Sequence, residues 1–208
     1  MLVYLIRHGQ TEMNEKGVGN WQIDDKLSEI GKQQALLLAQ KCSILHFDNI
    51  WASDLSRAYE TAQAIADWQN YSITVQKDKR LRERSFGEFE WQPLYILKNK
   101  AIAAGYQTSS DYFHLEKSIE WWPEMICRYE EWFDTAIDLI GSKNIAIVSH
   151  WGMIREIVSN IMTRYNWDYF SRMAPIVNTS ITIIEITQDK KKILTFNDYS
   201  HLRALNNV

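Results

Sequence analysis

Two short apolar runs, each ending at a histidine, constrain this chain more than any other feature in it. Leu2-Val3-Tyr4-Leu5-Ile6 leads into Arg7-His8-Gly9, and Ile145-Ala146-Ile147-Val148 leads into Ser149-His150-Trp151-Gly152. A run of four or five apolar residues without polar alternation has no face to offer to water. It suits a strand covered on both sides, as in a parallel sheet with a helical layer on each face.

The stretches around these runs carry helical periodicity. Ser28 is placed to cap a helix with Ala35, Leu38, Ala39, Cys42 and Leu45 on one face. Residues 47–52 read as a short strand. Ser53 or Asp54 then caps a helix presenting Leu55, Ala58, Ala62, Ile65 and Ala66. Residues 72–76 read as a third strand and 92–104 as a helix, followed by a loop carrying Tyr106, Tyr112 and Phe113. Pro123 suits a first helical turn, and Met125, Tyr129, Trp132, Ala136 and Ile140 carry the stripe up to Gly141. A helix over 152–163 and two strands over 180–186 and 192–197 complete the pattern. The alternation predicts an α/β three-layer sandwich with a mostly parallel central sheet and helices on both faces. One domain over 1–208 is expected, with a cap-like insertion at roughly 85–122.

Charge and composition narrow the partners. With 23 Lys+Arg against 26 Asp+Glu the formal net charge is −3, so the basic footprint of a nucleic-acid binder is missing. The apolar start has no basic leader and is far shorter than a spanning helix, which predicts a cytoplasmic protein with no membrane partner. Cys42 and Cys127 fall in no CxxC or Cys/His spacing. Both are expected to be small buried hydrophobes in a reducing compartment.

In open α/β sheets, ligands bind beyond the carboxyl ends of the strands. His8 and His150 both stand at such an end. Either one alone reads most simply as a loop histidine with satisfied hydrogen bonds. Two of the five histidines in the same situation, one of them flanked by Arg7, weigh for a site. His46, His114 and His201 add no metal-ligand spacing, so no metal and no cofactor are expected.

The residues also resemble a known family in five ordered places. Leu5-Ile6-Arg7-His8-Gly9-Gln10-Thr11, with Asn14 downstream, resembles the first motif of the histidine phosphatase superfamily, also called phosphoglycerate mutase-like. Leu27-Ser28-Glu29-Ile30-Gly31 and Ala52-Ser53-Asp54-Leu55-Ser56-Arg57-Ala58 are similar to the starts of its first two helices. Leu81-Arg82-Glu83 with Phe86-Gly87-Glu88-Phe89-Glu90 resembles its acid loop, and Ile147-Val148-Ser149-His150 with Gly152 and Arg155 its second histidine motif. Asn178-Thr179-Ser180-Ile181 is similar to the start of a late strand. The likeness spans nearly the whole chain and thins between about 92 and 143.

What the resemblance implies is a phosphoglycerate mutase-like fold and a metal-independent hydrolase of small phosphomonoesters, a histidine acid phosphatase-type enzyme inhibited by phosphate-like oxyanions. His8 would be the nucleophile, forming a phosphohistidine. Arg7, Arg57, His150, Asn14, Asn20 and Trp151 would surround the phosphate, since fork-shaped guanidinium donors match its oxygens. Glu83 would protonate the leaving oxygen and later take a proton from water. Lys77, Lys79, Arg80, Arg82 and Arg84 form either a basic funnel or a solvated face.

Several positions depart from the family pattern. Trp21, Trp91 and Trp151 stand where relatives carry glycine, and a tryptophan there is strained if the native φ is positive. Either the three narrow the mouth for planar leaving groups, or they are packing residues. A cofactor-dependent mutase is the alternative enzyme, but region 92–122 holds only Lys98, Lys100, Lys117 and Pro93 where mutases are more basic. A silent phospho-ligand-binding module is disfavoured because the catalytic set is complete. Aromatic residues within 106–132 make a homodimer interface conceivable.

Overall fold

The computed structural model describes residues 1–19, 21–106, 116–140, 144–163 and 176–205. Asn20, Tyr112, Phe113, His114 and Gly141 lie outside them.

Parity along the two apolar strands accounts for the layers. In β1 (Leu2–Arg7) Val3 and Leu5 face one side of the sheet, while Tyr4 and Ile6 face the other. In β4 (Ile145–Ser149) Ile145 and Ile147 join the first side, Ala146 and Val148 the second. Side chains alternate across a strand. Both faces therefore demand a partner, and each receives a pair of helices.

On the second side lie α2 (Glu29–Cys42) and α3 (Ser56–Asp67), contributing Leu38, Cys42, Ala58, Ala62 and Ile65 to a core shared with Phe47 and Ile50. On the first side lie α5 (Trp122–Ile140) and α6 (Trp151–Thr163), contributing Met125, Tyr129, Trp132, Met153, Ile154 and Ile157. A four-residue helix α1 (Glu12–Glu15) follows β1, and α4 (Leu94–Ala103) lies in the insertion. The insertion builds a small satellite core of Phe86, Phe89, Leu97 and Ile119, with Trp21 packed against it.

The sheet runs β3-β2-β4-β1-β5-β6. Here β2 is Asn49–Ala52, β3 Val75–Lys77, β5 Ile181–Ile186 and β6 Lys191–Asp198. The first four strands are parallel, and β5 and β6 close one edge antiparallel. The expected three-layer α/β architecture is therefore present, and no helix of the described residues is long and apolar enough to cross a membrane.

Some local expectations are corrected. Ser28 caps α2 through the Gly31 amide at 3.1 Å, as expected. Neither Ser53 nor Asp54 caps α3. That role falls to Asp24, whose carboxylate accepts from the Ser56 amide at 2.7 Å and the Ser56 hydroxyl at 3.0 Å. The third strand starts at Val75, because only three residues pair with β2. Cys42 is buried but Cys127 is exposed. Among the aromatics of 106–132, Tyr129 and Trp132 belong to the core, whereas Trp121 is exposed.

Candidate functional site

Parallel pairing of β1 with β4 sets Arg7 opposite Ser149, so the next residue of each strand emerges at the same edge. His8 and His150 consequently sit with ring centroids 5.1 Å apart, and the His8 amide donates to the Ser149 carbonyl at 2.9 Å. Both side chains are buried, at 4% and 0% exposure.

The tautomer of His8 follows from its neighbours. Nδ1 lies 2.7 Å from the Gly9 carbonyl, which can only accept, so Nδ1 carries the hydrogen. Nε2 is left with its lone pair and accepts from Arg57 Nε at 3.3 Å. The His8 carbonyl accepts from Asn178 Nδ2 at 2.9 Å, while the Thr179 amide donates to the Arg7 carbonyl at 3.0 Å. Arg57, in the first turn of α3, is held by the Ile23 and Trp21 carbonyls, each accepting at 2.7 Å. Arg7 Nη1 donates to the Ile176 carbonyl at 2.5 Å, but its Nε is buried without a partner. Both ring nitrogens of His150 are likewise buried and unpartnered.

Electrostatics agree with this geometry. Burial first, then the guanidinium charges of Arg57 and Arg7, hold His8 well below the ordinary imidazole range. Burial and Arg57, with His8, Arg128 and Arg7 behind them, do the same for His150. Burial brings Arg7 and Arg57 down to about 10, opposed in each case by the negative charge of Glu83. The edge therefore carries two guanidinium cations and two neutral imidazoles at neutral pH.

Glu83 stands across from this cluster on the loop after β3. One of its oxygens accepts from the Arg84 amide at 2.8 Å, the other from the Gly152 amide at 2.9 Å. A β-carbon on Gly152 would press against that carboxylate, so any larger residue there would have to push the Glu83 side chain aside. Arg128 on α5 holds the loop from behind. It donates to the Arg80, Arg82 and Glu83 carbonyls at 2.6, 2.8 and 3.0 Å and pairs with Glu120. Arg128 and the Asn178 clasp were not foreseen from the sequence. Arg128 binds backbone carbonyls more than forty residues away, and backbone acceptors leave no mark in side-chain spacing.

The other expected residues divide. Asn14 Oδ1 accepts from Asn178 Nδ2 at 3.4 Å and closes the α1 capping box with Thr11, so Asn14 lies at the edge of the His8 loop. Trp151 opens α6 with its ring beneath Arg155. Trp21 and Trp91 do have positive φ, 42° and 72°, whereas Trp151 does not. Trp21 stacks on Phe86, with centroids 3.5 Å apart, and Trp91 is 73% exposed. The basic neighbours form no open funnel. Arg80 pairs with Asp78, Arg82 with Asp54, Lys77 lies over Tyr59, and Arg84 is buried against Trp122. Among the described residues no group of three His, Cys, Asp or Glu side chains is placed to hold a metal.

Residues 3–199 match the histidine phosphatase superfamily, branch 1. The chain belongs to that superfamily. Phosphoryl transfer through a phosphohistidine is general to histidine phosphatases. Two relatives matched along their whole length carry phosphatase names. The chain is 31% identical to a probable phosphatase of Schizosaccharomyces pombe, covering 98% of this chain and 96% of the relative. It is also 31% identical to a putative phosphoserine phosphatase 2 of Hydrogenobacter thermophilus, covering 98% of each. The fold superposes on the crystal structure of a phosphoglycerate mutase from Bacillus anthracis strain Sterne with a TM-score of 0.83. That match has 23% identity and covers 98% of this chain and 95% of the other.

Proposed function

We propose that the chain is a metal-independent phosphomonoester hydrolase that works through a phosphohistidine on a small phosphorylated metabolite. The observation that carries this reading is the convergence of the His8 Nε2 lone pair with buried, unpartnered donors on Arg7 and His150. An unsatisfied buried donor costs about 1–3 kcal/mol, and a phosphoryl group is an acceptor able to offset several at once.

His8 Nε2 attacks phosphorus and the bond to the ester oxygen breaks. Glu83 gives its proton to the departing oxygen. Water then attacks the phosphohistidine, Glu83 takes a proton from it, and the P–N bond breaks to release inorganic phosphate. Arg7, Arg57 and His150 stabilise the charge that spreads over the phosphoryl oxygens, with Asn14 at the edge. The bound dianion favours a cationic His150, because an opposite charge favours the charged form. Asn20 and the Trp151 amide complete the proposed phosphate ring, and segment 85–122 acts as a cap. Relatives named phosphatases along their full length favour hydrolysis over phosphoryl exchange.

The test is hydrolysis of p-nitrophenyl phosphate with EDTA present. Turnover untouched by the chelator and abolished in His8→Ala, with an acid-labile phosphoprotein trapped in the wild type, supports the reading. Vanadate should inhibit. Because His8 is held neutral, the acid limb of kcat/KM should fall below the ordinary imidazole range. Glu83→Gln should slow alkyl phosphates by about 10²–10⁴ and nitrophenyl phosphate much less. Absence of turnover across pH 5–8 would overturn the proposal. Exchange of phosphate between phosphoglycerates without release would point to the mutase.

A further inference from the structure

Thr179 is held in a conformation that its side chain disfavours. It is the third residue of a turn closed by the Ser180 amide on the Val177 carbonyl at 3.0 Å, and its φ is 60°. Glycine or asparagine is the usual occupant of such a place, and a β-branched residue there is strained. Residues in sparsely populated backbone regions persist where their surroundings over-determine them. Here part of the surroundings is the end of β1. The Thr179 amide donates to the Arg7 carbonyl at 3.0 Å and to the His8 carbonyl at 3.3 Å. Asn178 Nδ2 donates to the same His8 carbonyl at 2.9 Å.

The rest of the surroundings is a histidine. Thr179 is fully buried, and its hydroxyl donates its one hydrogen to the Asn178 carbonyl at 2.7 Å. The hydroxyl oxygen lies 3.0 Å from His201 Nε2, so it accepts from an Nε2–H. His201 is then the neutral tautomer with a bare Nδ1, and that nitrogen is buried without a partner. A proton there would be a buried donor with no acceptor. Burial, then the charge of Lys41, brings His201 down to about 4 against the pull of Asp198, in keeping with the neutral ring. The ring stands on the 3-10 turn Ser200–Ala204 that follows β6, and this turn is tied to α2. Lys41 Nζ donates to Asp198 Oδ2 at 2.5 Å and to Ser200 Oγ at 2.8 Å.

We propose that His201 is a positioning residue for His8: its hydrogen bond locks Thr179, and Thr179 fixes the His8 peptide and with it the line along which His8 Nε2 meets phosphorus. This rests on the phosphatase reading above and deepens it. The His8 ring is tied to the main chain through Nδ1 and the Gly9 carbonyl, so a rotation of the His8 peptide carries Nε2 with it, away from Arg57. Without His201 the Thr179 side chain loses the contact that holds it at positive φ. The turn can then relax, and its amide leaves the Arg7 and His8 carbonyls. A misplacement of about 1 Å at the reacting atoms costs on the order of a hundredfold in rate.

The experiment follows phosphorylation of His8 by p-nitrophenyl phosphate in a rapid-quench burst, with competitive inhibition by inorganic phosphate as the measure of binding. His201→Leu should slow phosphorylation by about ten- to a hundredfold and leave the phosphate inhibition constant nearly unchanged. His201→Gln, which puts an amide N–H where the imidazole carries its Nε2–H, should recover most of the rate. Thr179→Val keeps the shape, loses the hydroxyl and should be slowed as His201→Leu is. Thr179→Gly adopts the positive φ without strain, so adding His201→Leu to it should cost nothing further. Equal losses from His201→Leu in both backgrounds, no rescue by glutamine, or full rate in Thr179→Val would overturn the proposal. The valine variant decides even where His201→Leu fails to fold. If the wild type forms no phosphohistidine, the phosphatase reading fails, and the ring-nitrogen NMR signals of His8 still test the positioning role. Signals displaced in His201→Leu and restored in His201→Gln support it, and signals unmoved in His201→Leu overturn it.

Discussion

Replacing Glu156 by glutamine should make the protein's stability less dependent on pH. Glu156 is 3% exposed on α6 and borders a cleft of about 110 Å³ lined by Trp122, Ile126, Cys127 and Ser159. One of its oxygens has no partner. Burial raises its carboxyl from 4.5 to about 8, Arg155 and Arg84 oppose that rise, and Glu83 adds to it. A folded-state value above the unfolded one means that the folded chain keeps a proton the unfolded chain releases. Below about pH 4.5 both states are protonated and nothing is lost. Between 4.5 and 8 stability falls by about 1.36 kcal/mol per pH unit, and above 8 the cost is constant. From pH 5 to pH 9 the wild type should lose on the order of 4 kcal/mol that Glu156→Gln does not lose. Urea unfolding followed by far-ultraviolet circular dichroism at pH 5, 7 and 9 measures this. Any constant offset from the substitution, and every titration common to both proteins, cancels in the comparison. Parallel pH profiles for the two proteins would refute the argument, because a carboxyl ionised in the folded state at pH 7 produces no such difference.

Further expectations concern the site and its supports. Gly152→Ala places a methyl against the Glu83 carboxylate. Steady-state kinetics should find a loss of about 10²–10⁴ on alkyl phosphates and a smaller one on nitrophenyl phosphate; an equal loss on both would mean the methyl displaces more than the acid. Trp91→Gly should be neutral or stabilising by about 1 kcal/mol, since an exposed side chain leaves a left-handed backbone position. Trp21→Gly should destabilise, because its stack on Phe86 is lost; melting temperatures separate the two cases. Asp24→Ala removes the cap of α3 at a cost of about 1 kcal/mol. Its KM should rise as well, because that helix turn carries Arg57.

Several features of the fold were readable in advance because each depends on neighbours close in sequence. The stripes of α2 and α3 are buried as their spacing requires. Cys127, expected to be buried, is exposed instead, because it lies two residues, about 200°, from both Met125 and Tyr129 on the α5 stripe. The α3 cap was misread because its true partner, Asp24, is 32 residues upstream. The basic run 77–84 suggested a funnel because its anionic and aromatic partners, Asp54, Tyr59 and Trp122, are brought in by other elements. The strain at Trp21 and Trp91 was foreseeable only through the family pattern of glycines, because no local residue choice explains an aromatic there.

By itself, the sequence determined the layers: two apolar strands without a wet face, helices with one apolar stripe each, and histidines where those strands stop. Period and composition act over a few residues, so they can be read without knowing where the chain goes next. Tertiary structure decided which strand lies beside which. By inserting β4 between β1 and β2 and pairing Arg7 with Ser149, it brought His8 and His150 to 5.1 Å. It also decided the protonation of the site, because the burial and the guanidinium charges that keep both imidazoles neutral exist only once distant segments have closed around them.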